Sequence, residues 1–263
     1  RRVLFRSGWV KRKATFKQDR SMISGIASYS DNVSISCNMS YSLSMSLFGL
    51  FPIADDIPFS AVVKRTFMLL PEDEDYLPRL ADPRVGTLWS DKVSFSDEAQ
   101  GSEVQYWVNR WNLTEEKPIV FYVDPSFPKV WKKAIMKGIE DWQQAFEAIG
   151  FKNAIIAKEY PESPDFNPND MRFNCFKLAV CDISNAMGVH WVDPRSGEIV
   201  QAEVLYYSNI TKLLHKWYFL QTAAVNPLAR KKVLDDQTME KLIRYSAAHE
   251  VGHCLGLTHN FRA

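Results

Sequence analysis

The sequence has few cysteines, few glycines and no excess of charge of either sign. Its 263 residues include 4 Cys and 11 Gly, and 32 Lys and Arg balance 31 Asp and Glu, for a formal net charge of +1. This balance argues against binding to nucleic acid through bulk charge, because phosphate recognition leaves a strongly basic footprint. The cysteines form no CxxC pair and are too sparse for a disulfide scaffold. Whether Cys175 pairs with Cys181 stays open.

Long apolar runs are also missing. No stretch approaches the roughly 18 residues that a membrane span needs, and the best candidate, Met45 to Ala54, is interrupted by Pro52. With 46% hydrophobic and 24% charged residues, the composition is that of a globular protein with one large domain or two smaller ones. The chain begins with Arg1 and has no signal-peptide pattern, so a leader, if there was one, has already been removed. Composition indicates no oligomeric state.

Residues 1–80 are predicted to form a β-rich region. The first twenty residues hold eight Lys and Arg against one Asp, and we interpret them as a solvated arm or strand edge. From Val33 to Leu47, apolar residues alternate with Ser or Asn. Because successive strand side chains point to opposite faces, this pattern predicts one long half-buried strand or a hairpin arm with a wet serine face. A further strand is predicted within residues 59–70.

Residues 81–117 lack periodicity and are interpreted as a connector laid over the surface. From residue 118 the pattern becomes mixed α/β. The predicted strands cover 118–123, 153–157, 188–192 and 199–207, and the predicted helices cover 130–149, 211–225 and 238–255. A strand, helix, strand succession implies a parallel pair, and the short turn between the last two strands implies an antiparallel neighbour. The fold is therefore predicted to be α+β, with an N-terminal antiparallel region followed by a mixed sheet.

Three of the five histidines lie in the last fifteen residues, in the order His249-Glu250-Val-Gly-His253, then Gly256 and His259. Helical residues four apart share a face about 6 Å apart, so His249 and His253 can converge on one ion. Glu250 follows the first ligand and is placed to hold a metal-bound water without ligating. A turn at Gly256, where a positive φ costs little, lets His259 return as a third ligand. Three imidazoles and an open fourth position describe a catalytic zinc site.

The extended motif HExxHxxGxxH resembles that of the metzincin zinc endopeptidases. More closely, the chain from Leu77 onwards resembles the bacterial zinc-dependent metalloproteases of the Met-zincin group. The other matching pieces are Arg79-Leu-Ala-Asp-Pro-Arg-Val-Gly86, Lys117-Pro-Ile-Val-Phe-Tyr-Val-Asp-Pro125, Gly150-Phe-Lys-Asn-Ala154, Asn185-Ala-Met-Gly188, Val192-Asp-Pro-Arg-Ser-Gly-Glu198 and His259-Asn-Phe261. Several independent motifs in the expected order make this resemblance specific.

The resemblance implies a zincin-like catalytic domain over residues 118–263, with a mixed twisted sheet, a backing helix and an active-site helix. It implies Zn²⁺ held by His249, His253 and His259, with Glu250 as general base in the hydrolysis of a peptide or protein substrate. It also implies that the strand ending near Tyr207 is the sheet edge that binds the substrate. The candidate substrate-binding residues on that strand are Val204, Leu205, Tyr206 and Tyr207. An exported location, whether periplasmic, cell-surface or secreted, is implied as well.

One departure from the metzincin pattern concerns the methionine-containing turn beyond the third histidine. No methionine follows His259 before Ala263. Either the protein continues beyond Ala263 or the site is incomplete as given, and we expect that it continues.

Two alternatives to a metzincin peptidase stay open. The first is a non-catalytic zinc-containing domain that binds peptides or glycans, against which Glu250 argues because a binding site needs no base. The second is a peptidase whose third ligand is a distant glutamate, against which the spacing of His259 argues. His190 and His215 are interpreted as packing or surface histidines.

Overall fold

The computed structural model describes residues 10–72, 75–96 and 101–260, and the chain divides into two compact units, residues 1–69 and 70–263. The strands are β1 (Val10–Ser28), β2 (Asn32–Leu47), β3 (Phe51–Met68), β4 (Trp89–Ser96), β5 (Gly101–Val108), β6 (Arg110–Trp111), β7 (Ile119–Val123), β8 (Ile155–Glu159), β9 (Asn174–Ala179), β10 (Ala186–Val192) and β11 (Glu198–Tyr207). The helices are α1 (Lys129–Glu140), α2 (Gln143–Ala148), α3 (Ile210–Thr222) and α4 (Asp236–Cys254), with a 3₁₀ turn at Pro227–Arg230. None of the helices in these ranges is long and apolar enough to cross a membrane.

The first unit is an antiparallel sheet in the order β1-β2-β3. Tyr41 in β2 lies opposite Phe16 in β1 and Phe59 in β3, with ring centroids 5.6 and 5.3 Å apart. The predicted long strand is present as β2, and the basic stretch forms an edge strand from Val10, while residues 1–9 lie outside the described part. The predicted wet serine face is wrong, because Ser34 and Ser42 are buried while the apolar residues from Val33 to Leu47 are only partly buried.

The stretch interpreted as a connector contains an antiparallel hairpin, β4–β5, in which Trp89 pairs with Val108. The hairpin corrects the interpretation of this stretch as lacking periodicity, because in β4 the apolar residues Trp89, Val93 and Phe95 alternate with polar ones. The residues that follow the hairpin reach the second unit's main sheet, since β6 pairs in parallel with the start of β11. This stretch is thus part of the second unit.

The main sheet of the second unit has the order β10-β11-β9-β7-β8. Strands β8, β7, β9 and β11 run parallel to their neighbours, and β10 joins β11 as an antiparallel edge strand. A core of buried aliphatic and aromatic side chains lies between this sheet and helices α1 and α4. The predicted α+β class and the mixed sheet with a backing helix and a histidine-bearing helix are confirmed.

The prediction that β11 forms the substrate-binding edge is wrong. Residues Val204, Leu205, Tyr206 and Tyr207 pair with β9 on one side, and Val204 to Tyr206 also pair with β10 on the other. Val204 and Tyr206 are fully buried, so their side chains pack in the core. The physical reason is β9, which the sequence pattern did not reveal and which inserts beside β11, leaving β10 as the outer strand.

The predicted helix over 130–149 is two helices, α1 and α2, with a break at Asp141 and Trp142. Gly150 ends the second helix with φ +97°, as predicted from its freedom to adopt positive φ. Helices α1 and α4 cross closely at Gly138, where an added Cβ would lie 2.5 Å from the Arg244 carbonyl oxygen. This close crossing fixes α4, the helix of the candidate site, against the backing helix.

Candidate metal centre

Helix α4 has one buried face and one face that is partly open to solvent, and the motif residues are divided between them. Asp235 caps its N-terminus by accepting a hydrogen bond of 2.8 Å from the Thr238 N–H. Along the inner face the residues Ile243, Ala247, Val251 and Cys254 are buried at the spacing of helical turns. The first two histidines of the motif lie on another face, which is partly open to solvent.

The three motif histidines converge. One ligand nitrogen from each of His249, His253 and His259 lies within 4.8 Å of the others. The Nε2 atoms of His249 and His253 lie 3.2 and 3.1 Å from Nε2 of His259. Two nitrogens bound to one tetrahedral zinc ion lie about 3.3 Å apart, since each Zn–N bond is about 2.05 Å. The donor set and these two separations therefore match those expected around a zinc ion.

A hydrogen bond orients the second of these imidazoles. His253 Nδ1 lies 2.9 Å from the Leu257 carbonyl oxygen, and because a carbonyl only accepts, Nδ1 carries the proton. Nε2 is then the nitrogen with an available lone pair, directed at the cluster. In most metal-binding histidines, a hydrogen bond from the ring nitrogen that does not bind the metal fixes the orientation of the ring and its tautomer.

Gly256 makes the turn that carries the third histidine. Its φ is +88°, and an added Cβ would lie 2.2 Å from the Asn109 carbonyl oxygen. Both the left-handed backbone and the lack of space demand glycine here. The chain then returns along α4, so that His259 meets His253 with ring centroids 4.7 Å apart.

Glu250 is joined to the edge strand. Its Oε2 accepts a hydrogen bond of 2.6 Å from the Gly188 N–H in β10. The same glycine approaches the helix backbone so closely that an added Cβ would lie 2.0 Å from the Glu250 carbonyl oxygen. The carboxylate is therefore held at the sheet edge, one residue along α4 from His249.

His190 was interpreted from the sequence as a packing or surface histidine, and the structure gives it a more specific place. Its Nδ1 lies 2.9 Å from the His253 carbonyl oxygen, and its Nε2 lies 3.1 Å from Asn109 Nδ2. Burial lowers the pKa of this imidazole below its usual value, favouring the neutral ring. No sequence signal marks this role, because its partners are distant in the chain. His215 lies outside the centre and contacts the Lys231 carbonyl oxygen.

The cysteines take no part in the cluster. The Cys254 thiol is fully buried on the inner face of α4, and burial raises its pKa well above the usual value. Cys175 and Cys181 are both free thiols, so the open question of their pairing is answered for this structure.

Family models match both ends of the chain. Residues 231–263 match a family model described as Met-zincin. Together with the converging histidines, this match indicates a domain of the zinc metallopeptidase type.

Residues 5–116 match a second model, described as Domain of unknown function (DUF5117). This match ends between β6 and β7, and so it includes the hairpin of the second unit. No curated protein and no solved structure matches the chain.

Proposed function

We propose that the chain forms the zinc-binding part of an endopeptidase that hydrolyses peptide bonds. The observation that carries this proposal is the convergence of three imidazole nitrogens, two of them from the helix that also carries the Glu250 carboxylate. His249, His253 and His259 would hold the zinc ion. A site that only bound zinc would have no chemical need for Glu250.

A zinc ion held by His249, His253 and His259 would supply Lewis acidity that polarises a peptide carbonyl. Glu250 removes a proton from the attacking water and then delivers that proton to the leaving amine. The Gly188 N–H holds one oxygen of this carboxylate in place.

The substrate is proposed to bind as an extended strand along β10. Strand β10 pairs with β11 alone among the described strands and lies at the outer side of the sheet. In an antiparallel ladder, alternate residues direct their N–H and C=O groups away from the partner strand, and Gly188 directs its N–H towards Glu250. A peptide added at this edge would therefore pass beside the proposed base.

The compartment stays a prediction. The resemblance to Met-zincin proteases favours an exported protein acting in the periplasm, at the cell surface or outside the cell. A peptide or protein in that compartment is the proposed substrate.

The proposal is tested by zinc content and by hydrolysis of an unfolded protein such as casein. The full-length wild-type protein is expected to hold about one zinc ion and to cut casein. Glu250→Gln is expected to keep the zinc and lose about 10²–10⁴-fold in kcat, since it removes the base and leaves the ligands. His259→Ala is expected to lose zinc, and His215→Ala, which changes a histidine outside the centre, is expected to retain it.

Each other outcome points to a specific failure. Zinc without hydrolysis in the full-length wild-type protein would favour a binding domain for peptides or glycans. Unchanged zinc affinity in His259→Ala would favour a distant third ligand. Full activity in Glu250→Gln would remove Glu250 from the mechanism.

A further inference from the structure

We propose that residues 86–90 and 109–111, here called the strap, position the third metal ligand, His259. The strap lies within the segment that matches a family of unknown function, so this inference assigns part of that segment a role in the metal centre. It rests on the proposed zinc site. The strap contacts the five residues between the second and third histidines, which are called the ligand turn (residues 254–258).

The first contact is a short stretch of backbone pairing. The Leu88 N–H donates to the Gly256 carbonyl oxygen at 2.6 Å, and the Thr258 N–H donates to the Gly86 carbonyl oxygen at 2.9 Å. Between them, Thr87 and Leu257 form an antiparallel bridge. The ligand turn is therefore held like a strand in a sheet, and Thr258 is fixed directly before His259.

The second contact satisfies the end of α4. The last carbonyl groups of a helix have no partner within it. The Trp111 indole N–H donates to the Cys254 carbonyl oxygen at 3.0 Å. The Trp111 ring also packs against the hydrophobic core, so this donor is attached to a side chain with little freedom to move.

The third contact is a relay of side chains to the second ligand. Ser90 Oγ donates to Asn109 Oδ1 at 2.9 Å, and Asn109 Nδ2 lies 3.1 Å from His190 Nε2. His190 Nδ1 in turn lies 2.9 Å from the His253 carbonyl oxygen. Since that carbonyl only accepts, His190 donates through Nδ1 and accepts from Asn109 through Nε2. The relay joins the strap to the backbone of a proposed metal ligand.

These contacts affect the position of His259 more than the positions of the other two proposed ligands. His249 and His253 are set by the geometry of α4, which its packing on α1 maintains. His259 lies beyond the helix, and its position depends on the ligand turn. Metal sites require ligands held within about 0.5 Å of the productive geometry. The strap supplies partners for Cys254, Gly256 and Thr258, and thereby restricts where His259 can lie.

The test compares two matched tryptophans. Trp111→Phe removes the indole N–H at the ligand turn and keeps an aromatic ring. Trp142→Phe makes the same change at a second site. The Trp142 indole N–H donates to the Ala248 carbonyl oxygen at 2.8 Å, and Ala248 lies on α4 before the three histidines. Both rings are partly buried against the same core. A general loss of stability should affect both variants, whereas a change in ligand position should affect only the first.

Zinc affinity is measured by competition with a chelator, and coordination geometry by the visible absorption of the Co²⁺-substituted protein. Trp111→Phe is expected to weaken zinc binding about 10–100-fold, as substitutions behind metal ligands do, and to change the Co²⁺ spectrum. Trp142→Phe is expected to leave both unchanged. Asn109→Leu, which interrupts the side-chain relay, gives a second measurement if Trp111→Phe does not fold.

Two outcomes would overturn the role of the strap and leave the zinc site itself in place. One is an equal effect of the two tryptophan variants on zinc binding. The other is an unchanged zinc affinity in both Trp111→Phe and Asn109→Leu. A wild-type chain that binds no zinc would instead overturn the proposed function, and the positioning role with it. The two failures are thus separated by the wild-type measurement.

Discussion

The Gly188 N–H and the Glu250 carboxylate are joined by a hydrogen bond of 2.6 Å between the edge strand and the histidine-bearing helix. Because Gly188 has no side chain, β10 also approaches the Glu250 backbone more closely than any other residue would allow. One residue thus sets both the orientation of the proposed base and the distance between the sheet edge and α4.

Gly188→Ala is expected to separate β10 from α4. The added Cβ would lie 2.0 Å from the Glu250 carbonyl oxygen, so the strand must shift at a cost of about 1–3 kcal/mol in the free energy of unfolding. A displaced carboxylate should lower casein hydrolysis about 10²-fold. Gly25→Ala is the matched control, because a Cβ there meets nothing within 4 Å. Wild-type hydrolysis in Gly188→Ala would contradict the assigned geometry.

Tyr206→Phe is expected to change stability and not substrate binding. The Tyr206 hydroxyl is hydrogen-bonded to Ser246 inside the core, and its ring packs against Phe127 and Phe176. Loss of that hydrogen bond should cost about 0.5–1.5 kcal/mol in the free energy of unfolding. Chemical denaturation measures this cost, and the KM for a peptide substrate should equal that of the wild type. A raised KM at unchanged stability would return Tyr206 to the substrate-binding residues.

Asp193→Asn is expected to destabilise the turn between β10 and β11 in a pH-dependent manner. Burial alone would raise the pKa of Asp193, but hydrogen bonds from the Arg195 side chain and N–H hold it below the usual 3.8. A carboxyl group with a lowered folded-state pKa stabilises the fold above its unfolded-state pKa and loses that effect as the pH falls. The difference between wild type and variant should be about 1–2 kcal/mol at neutral pH, because Arg195 is half exposed.

The measurement for Asp193 is denaturant unfolding of both proteins over a range of pH. The difference should shrink as the pH falls below about 4. A difference that stays constant down to acid pH would contradict the ion pair as its origin. Arg195→Gln removes the other partner of this ion pair, and most of the pH dependence of the free energy of unfolding should be lost with it.

The buried and exposed thiols are expected to react at different rates with an alkylating reagent. Burial raises the pKa of Cys175 to about 12 and that of Cys254 well above its usual value. Cys181 is exposed. Since the thiolate is the reactive form, Cys181 should be labelled in the native protein and the other two only after unfolding. Mass spectrometry of the labelled peptides locates the label, and early modification of Cys254 would contradict its burial.

The metal centre could be predicted from the sequence because its geometry is local. Helical spacing alone brings His249 and His253 together, and Gly256 allows the turn that returns His259. The α+β class could be predicted for the same reason, because strand alternation and helical periodicity can each be recognised within a single element. The finer prediction that Gly150 ends a helix also depended only on the backbone freedom of one residue.

The sheet edge and the strap could not be predicted because they depend on pairings between distant parts of the chain. A short turn shows that β10 and β11 are neighbours, but only the position of β9 decides which of the two is outermost. The strap acts through backbone groups, through the Trp111 indole and through the relay from Asn109 to His190, none of which forms a local pattern with the motif. These features follow from tertiary packing rather than from any periodicity.

The pairing of the strap with the ligand turn sets a limit on how this protein can be divided. A truncated chain that began at Pro118 would keep every histidine of the cluster and Glu250, and yet would lose the groups that hold Cys254, Gly256 and Thr258. The same holds for chimeras in which residues 231–263 are replaced by the corresponding residues of another protein, because the strap would then contact a ligand turn of different sequence. The two segments should therefore be exchanged together, and substitutions in one are expected to be accompanied by substitutions in the other.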